Sequence, residues 1–268
     1  MSMIASLVNG VSSTQIDICD RGLQYGDGVF ETIAIKRRQL LNFPAHLQRL
    51  TNGCSALHFT PIDLETLEIE AQELTQSIEQ GVLKITLTRG NSNRGYSTSP
   101  DTEITRILTL NTWPDMLEYD KEGVELGLSS IPLARNPHLA GIKHLNRLEQ
   151  VLASRELNDK AELLMLDTEE NVIGGIKSNL FIRQDKTWLT PDIHYAGIAG
   201  TMRSVIIDRL NVRIAQLTLA DIDQADEILL CNSIIGIWPV TQFHGTMFAI
   251  GNTSLALRAA LQKDMIIA

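Results

Sequence analysis

The sequence predicts a mixed α/β fold in two domains, each with a sheet and helices of its own. Three observations carry that expectation. β-branched runs of strand length interleave with apolar residues at helical spacing along the whole chain. A length of 268 residues with 44% hydrophobic content supplies enough apolar material for one large core or two modest ones. The charged stretch from Asn111 to Gly123, which contains Pro114, has no periodicity and reads as a linker. It divides an N-terminal α/β domain, residues 1–112, from a C-terminal α/β domain, residues 113–268.

In order along the chain, Val29 to Ile35 reads as a strand. Pro44 opens a helix whose Leu47, Leu50, Cys54 and Leu57 recur at helical spacing. A second helix is expected over Ile62 to Ile78, with Gly81 beyond its end. Val82 to Thr88 and Ile104 to Leu110 alternate as strands, separated by a turn-rich loop from Arg89 to Pro100. Past the linker, strands are expected at Val124 to Ser129, Glu162 to Asp167, Asn179 to Arg183, Arg213 to Thr218 and Glu227 to Cys231. Helices are expected near Leu145 to Leu157, Gly200 to Leu210 and Ser254 to Gln262. No internal repeat or low-complexity tract is present.

Charge and cysteine usage exclude several classes of function. A net charge of -9 opposes attraction to nucleic acid and to anionic membranes, so an anionic ligand needs a local pocket of cations and N–H groups. Cys19, Cys54 and Cys231 are widely spaced and form no CxxC pair, which points away from a disulfide framework or a zinc cage. The opening MSMIASLVNG has no basic segment followed by a long apolar run, and no stretch of the chain is apolar enough to span a bilayer. A cytoplasmic location is the expectation. The histidines form no HExxH or closely paired ligand set, so no metal is expected. No Walker loop, GxGxxG after a strand, or GxSxG elbow occurs.

The segment Arg135 to Gln150 places Lys143 after a Gly-Ile step and ahead of a helix expected to turn Leu145, Leu148, Val151 and Leu152 inward. A lysine there is half buried, desolvation lowers an amine's pKa, and a neutral amine is what Schiff-base chemistry needs. His144 is its neighbour, but adjacent residues of a helix point in different directions. Gly197-Ile-Ala-Gly-Thr-Met-Arg203 ahead of a helix permits close backbone approach and aims N–H groups at an anion. Arg94 and Asn232 are candidate partners for substrate carboxylates.

Asp20 to Glu31, Pro44 to Leu50, the Lys143 segment, Ser178 to Phe181 and Gly197 to Arg203 occur in the order seen in fold-type IV pyridoxal-phosphate enzymes. The chain resembles that family, which includes branched-chain and D-amino acid aminotransferases, over nearly its whole length. Arg94-Gly-Tyr-Ser97 and Asn136 to Gln150 resemble most its lyase branch, which makes 4-aminobenzoate and pyruvate from 4-amino-4-deoxychorismate.

The resemblance implies pyridoxal 5'-phosphate held in the cleft between the domains, as a Schiff base on Lys143, with Lys143 later serving as the proton-transfer base. It implies phosphate contacts from the Arg49 guanidinium fork, the backbones of Thr201 and Met202, and the Ser233 hydroxyl. It also implies a small-molecule substrate and a homodimer.

One position departs from the pattern. Relatives carry a glutamate against the pyridine nitrogen five residues before Asn179, and here that position is Gly174, with Glu169 and Glu170 as nearby carboxylates. Losing that charge-assisted bond should weaken the electron sink. An aminotransferase, which gains no aromatic product, should suffer more than a lyase. The alternatives are therefore an aminotransferase of the same fold, or a noncatalytic dimer that keeps the scaffold.

Overall fold

The computed structural model describes residues 2–92, 95–99, 102–115 and 119–268. The fold is mixed α/β, and the chain divides into two compact units. The first comprises Met1–Asp115, Ile142–Asn146 and Ala268, and the second Met116–Gly141 and Arg147–Ile267. The short segment around Lys143, assigned by sequence to the C-terminal domain, thus packs with the first unit.

The first unit contains β1 (Met3–Val8), β2 (Val11–Ser12), α1 (Arg21–Tyr25), β3 (Gly28–Lys36), β4 (Gln39–Leu40), α2 (Phe43–Ala56), α3 (Leu64–Thr75), β5 (Gln80–Thr88) and β6 (Thr105–Asn111). Its six-stranded sheet runs β2-β1-β6-β5-β3-β4 with antiparallel pairing throughout. Period-two alternation turns Val29, Ile33 and Ile35 of β3, and Leu83, Ile85 and Leu87 of β5, into one core. Leu47, Leu50 and Cys54 of α2 and Leu67 and Ala71 of α3 fill the same core. The second helix ends before Gly81, which instead lies in β5 opposite Ile35. The helix runs Leu64–Thr75 within the expected Ile62 to Ile78, and the register of β5 against β3 starts at Gln80.

The second unit contains α4 (Tyr119–Glu122), β7 (Val124–Leu128), α5 (Leu148–Ser154), β8 (Glu162–Leu166), β9 (Val172–Gly175), β10 (Asn179–Gln184), β11 (Thr187–Pro191), α6 (Thr201–Leu210), β12 (Arg213–Ala215), α7 (Leu219–Asp223), β13 (Glu227–Asn232), β14 (Gly236–Phe243), β15 (Thr246–Met247) and α8 (Asn252–Lys263). The sheet order is β12-β11-β10-β13-β14-β7-β8-β9, with β15 paired to β14.

Its central strands are buried on both faces. Leu180, Ile182, Ile228 and Leu230 point into one cluster with Ile222 of α7, whereas Phe181, Leu229 and Cys231 point into another with Met202 and Ile206 of α6 and Leu257 and Leu261 of α8. Two-sided burial is why β10 and β13 read as continuous apolar runs. β14 tolerates Pro239 because pairing with β7 begins only at Val240, so the missing N–H falls where that ladder has not started.

Candidate active site

Lys143 is placed by a strand-like pairing. The Phe30 N–H donates to the Lys143 carbonyl at 3.0 Å, and the Leu145 N–H donates to the Gly28 carbonyl at 3.0 Å. A Cβ at residue 28 would stand 2.6 Å from both the Leu87 carbonyl oxygen and Leu145 Cδ1, so only glycine lets the lysine segment lie this close. Lys143 is half-buried, and its Nζ sits 4.2 Å from the centroid of the Phe30 ring.

The helix expected from Leu145 therefore starts only at Leu148, because the preceding residues are held extended against β3. Its expected inner face is largely exposed, Leu148 by 76%, Val151 by 50% and Leu152 by 45%. His144 Nδ1 accepts from the Asn146 N–H at 3.2 Å.

Arg49 lies on α2, one helical turn beyond His46, and both meet Glu31 of β3. Arg49 Nε donates to Glu31 Oε1 at 2.7 Å, Arg49 Nη2 donates to Oε2 at 2.5 Å, and His46 Nδ1 lies 2.6 Å from Oε2. Glu31 and His46 are each 1% exposed in their side chains. Burial by itself would raise the Glu31 pKa, but bonds from Arg49 and His46 outweigh it and hold the carboxyl below its ordinary range.

Burial pushes the His46 pKa down, so the imidazole is neutral, donates through Nδ1 and leaves Nε2 as an acceptor. That Nε2 is buried and has no hydrogen-bond partner among the described residues. The Nε–Nη2 edge of Arg49, whose guanidinium the resemblance assigns to a phosphate, is thus engaged by Glu31.

Sequence reading missed Glu31 and His46 as members of this group. The signal was available: Glu31 falls in the core-facing register of Val29, Ile33 and Ile35, and His46 shares the apolar stripe of Leu50 and Cys54.

In the second unit, α6 begins at Thr201 with Gly200 as its N-cap and no side-chain capping bond. Thr201 and Met202 are buried, and as first-turn residues their N–H groups have no carbonyl of their own helix to bond. A Cβ on Gly200 would come within 1.9 Å of Asn179 Oδ1. Asn179 Nδ2 donates to the Ile198 carbonyl at 3.0 Å, and Gly141, two residues before Lys143 in the chain, exchanges 3.0 Å bonds with Gly197 and Ala199. The loop preceding α6 is therefore pinned on both sides, and its helix end has the character of an anion cradle.

Ser233 is half-buried in the turn after β13. Asn232 has a different task from the one expected. Its Nδ2 donates to the Lys177 carbonyl at 2.9 Å, while its Oδ1 accepts from Ile234 N–H at 2.8 Å and Ile235 N–H at 2.9 Å. Both ends of the amide take part in shaping the turn. Arg94 lies outside the described residues.

Gly174 is buried in β9 opposite Met165, and a Cβ there would meet the Ser178 carbonyl oxygen at 2.8 Å. The nearby carboxylates have other partners. Glu169 pairs with Arg135 at 3.1 Å and Glu170 is exposed. Glu162 is buried, its pKa raised by desolvation, and accepts from Ser178 Oγ at 2.9 Å and from the N–H groups of Ile176 at 3.1 Å and Leu163 at 3.2 Å. The Lys143 amine of the first unit and the α6 N-terminus of the second are each a group that a phosphorylated pyridine aldehyde can use, and position 174 offers no carboxylate.

Comparison with known proteins agrees with this chemistry. The chain is 36% identical over 242 residues to an aminodeoxychorismate lyase of Vibrio harveyi, covering 87% of this chain and 89% of the relative. A D-alanine aminotransferase of Listeria innocua is 27% identical, with 88% and 85% covered. The crystal structure of 4-amino-4-deoxychorismate lyase from Pseudomonas aeruginosa matches with a TM-score of 0.94 at 37% identity, covering 98% of this chain and 100% of that one. The amino-transferase class IV model matches residues 28–243, and the chain belongs to that family.

Proposed function

We propose that this chain is a pyridoxal-phosphate-dependent lyase that converts 4-amino-4-deoxychorismate to 4-aminobenzoate and pyruvate, a step of folate biosynthesis. The observation that carries the reading is the higher identity to two lyases than to an aminotransferase covered to the same extent.

Pyridoxal phosphate, when bound, supplies the electron sink for this chemistry. Lys143 would hold it covalently through Nζ, and the freed Nζ would take the ring proton of the substrate. Loss of that proton and of enolpyruvate leaves an aromatic ring, and enolpyruvate takes up a proton to become pyruvate. Arg49, the N–H groups of Thr201 and Met202, and the Ser233 hydroxyl hold the phosphate. Arg94 is assigned to a substrate carboxylate. Aromatisation supplies a driving force that transamination lacks, so the absence of a carboxylate at Gly174 weighs less on this reaction.

No helix among the described residues is long and apolar enough to cross a membrane. The reading takes the protein as a cytoplasmic homodimer. Cys19, Cys54 and Cys231 are all free, with burial pushing the Cys54 and Cys231 thiols up to about 12, which suits a reducing compartment. The exposed Leu148, Val151 and Leu152 on α5 supply an apolar stripe of the kind a subunit interface covers.

The test is to supply purified, cofactor-loaded protein with 4-amino-4-deoxychorismate and, separately, with D-alanine or branched-chain amino acids. 4-Aminobenzoate release is expected, and keto acid as the sole product would remove the lyase reading. Lys143→Ala should lose the visible absorption band of the bound cofactor and at least about 10²-fold in kcat.

A further inference from the structure

We propose that Glu31, braced by His46, is a positioning residue that sets the guanidinium of Arg49 for the cofactor's phosphate. The inference rests on the assignment of Arg49 under the proposed function.

A carboxylate in the core-facing register of β3, between Val29 and Ile33, is costly to bury, and a buried ion pair is a poor source of net stability. What the pair does supply is orientation. Two parallel bonds, from Nε to Oε1 at 2.7 Å and from Nη2 to Oε2 at 2.5 Å, fix the guanidinium plane. His46 Nδ1 then holds Oε2 at 2.6 Å, so the carboxylate cannot swing with the arginine. Glu31 lies on β3, which pairs along its whole length with β5, and His46 on the first turn of α2, so the arginine is referenced to rigid elements. Glu31 also offsets the arginine's charge, so phosphate recognition here depends on geometry more than on net field.

The charge effect and the orientation effect predict opposite results, which makes the proposal testable. Apoprotein is titrated with pyridoxal phosphate and, as a phosphate-free probe, with pyridoxal, both followed by the absorption band of the lysine adduct. Glu31→Gln is expected to weaken pyridoxal phosphate binding by about tenfold or more while leaving pyridoxal within about twofold. His46→Asn should show a smaller selective loss. Arg49→Gln should show the same selectivity in full.

If Arg49→Gln is selective but Glu31→Gln binds pyridoxal phosphate as tightly as wild type or more tightly, the positioning role is overturned and the arginine's assignment stands. If Arg49→Gln weakens both ligands alike, the arginine's assignment fails and the proposal falls with it. Parallel loss of both ligands in Glu31→Gln, with a lowered melting temperature, would mark a purely structural carboxylate and also overturn the proposal. Should Glu31→Gln not fold, Glu31→Asp keeps the charge one methylene short and is expected to give an intermediate selective loss.

Discussion

At Gly28 the absence of a side chain decides where the Lys143 amine lies. The Leu87 carbonyl and the Leu145 side chain both crowd the position a Cβ would take, and the two backbone bonds to Phe30 and from Leu145 depend on that closeness. Gly28→Ala should cost about 1–3 kcal/mol in stability, as overpacking usually does, and should slow borohydride trapping of the cofactor on Lys143. A variant with an unchanged melting temperature and trapping rate would contradict this account.

Lys143 itself was legible in the sequence because a long motif surrounds it. Glu31 and His46 were not recognised, although strand and helix periodicity both place them among core residues. A charged residue in an apolar register signals a buried partner, and the partner lies far away in sequence, so register alone does not name it.

Among the elements, α1 and the loop it faces are joined by one guanidinium. Arg21 donates to Asp27 at 2.8 Å, to Ser92 Oγ at 2.9 Å, and to the carbonyls of Gly95 and Tyr96 at 3.0 Å each. Arg21→Gln should cost about 1–3 kcal/mol by leaving part-buried acceptors unpaired, and should speed amide exchange over residues 95–99. Protected amides there in the variant would count against Arg21 as the organiser of this loop.

Burial by itself would raise the pKa of Asp27, but hydrogen bonds and charges from Arg89 and Arg21 outweigh it and hold the carboxyl below its ordinary range. A depressed folded-state pKa contributes stability above the unfolded value of about 3.9 and loses it as the pH falls through the folded value. The melting-temperature gap between wild type and Asp27→Asn should therefore be full near neutral pH and shrink as the pH falls below the unfolded carboxylate value of about 3.9. A gap independent of pH would show that the ion pairs do not stabilise the fold.

At this scale strands buried on both faces were read well, since β10 and β13 are continuous apolar runs. The helix after Lys143 was read too long, because tertiary pairing with β3 keeps its first residues extended whatever their spacing.

For the molecule as a whole, the exposed apolar stripe on α5 leads to a prediction about assembly. Leu148→Glu combined with Val151→Glu should convert a dimer to a monomer in sedimentation analysis while keeping the circular dichroism of the folded chain. A dimer that survives both charges would place the subunit interface elsewhere. The mixed α/β class and the acidic character were open to composition and pattern. The membership of residues 142–146 was not, since it depends on five residues pairing with a strand more than a hundred positions earlier.

That return of the chain has a genetic consequence. No single cut in the coding sequence separates the two units, because a piece ending at Asp115 lacks the partners of Gly28 and Phe30, and the remaining piece carries the lysine without its seat. Recombination that exchanged halves between homologues would join one parent's lysine to the other's strand, so the residues on both sides of that pairing are bound to vary together.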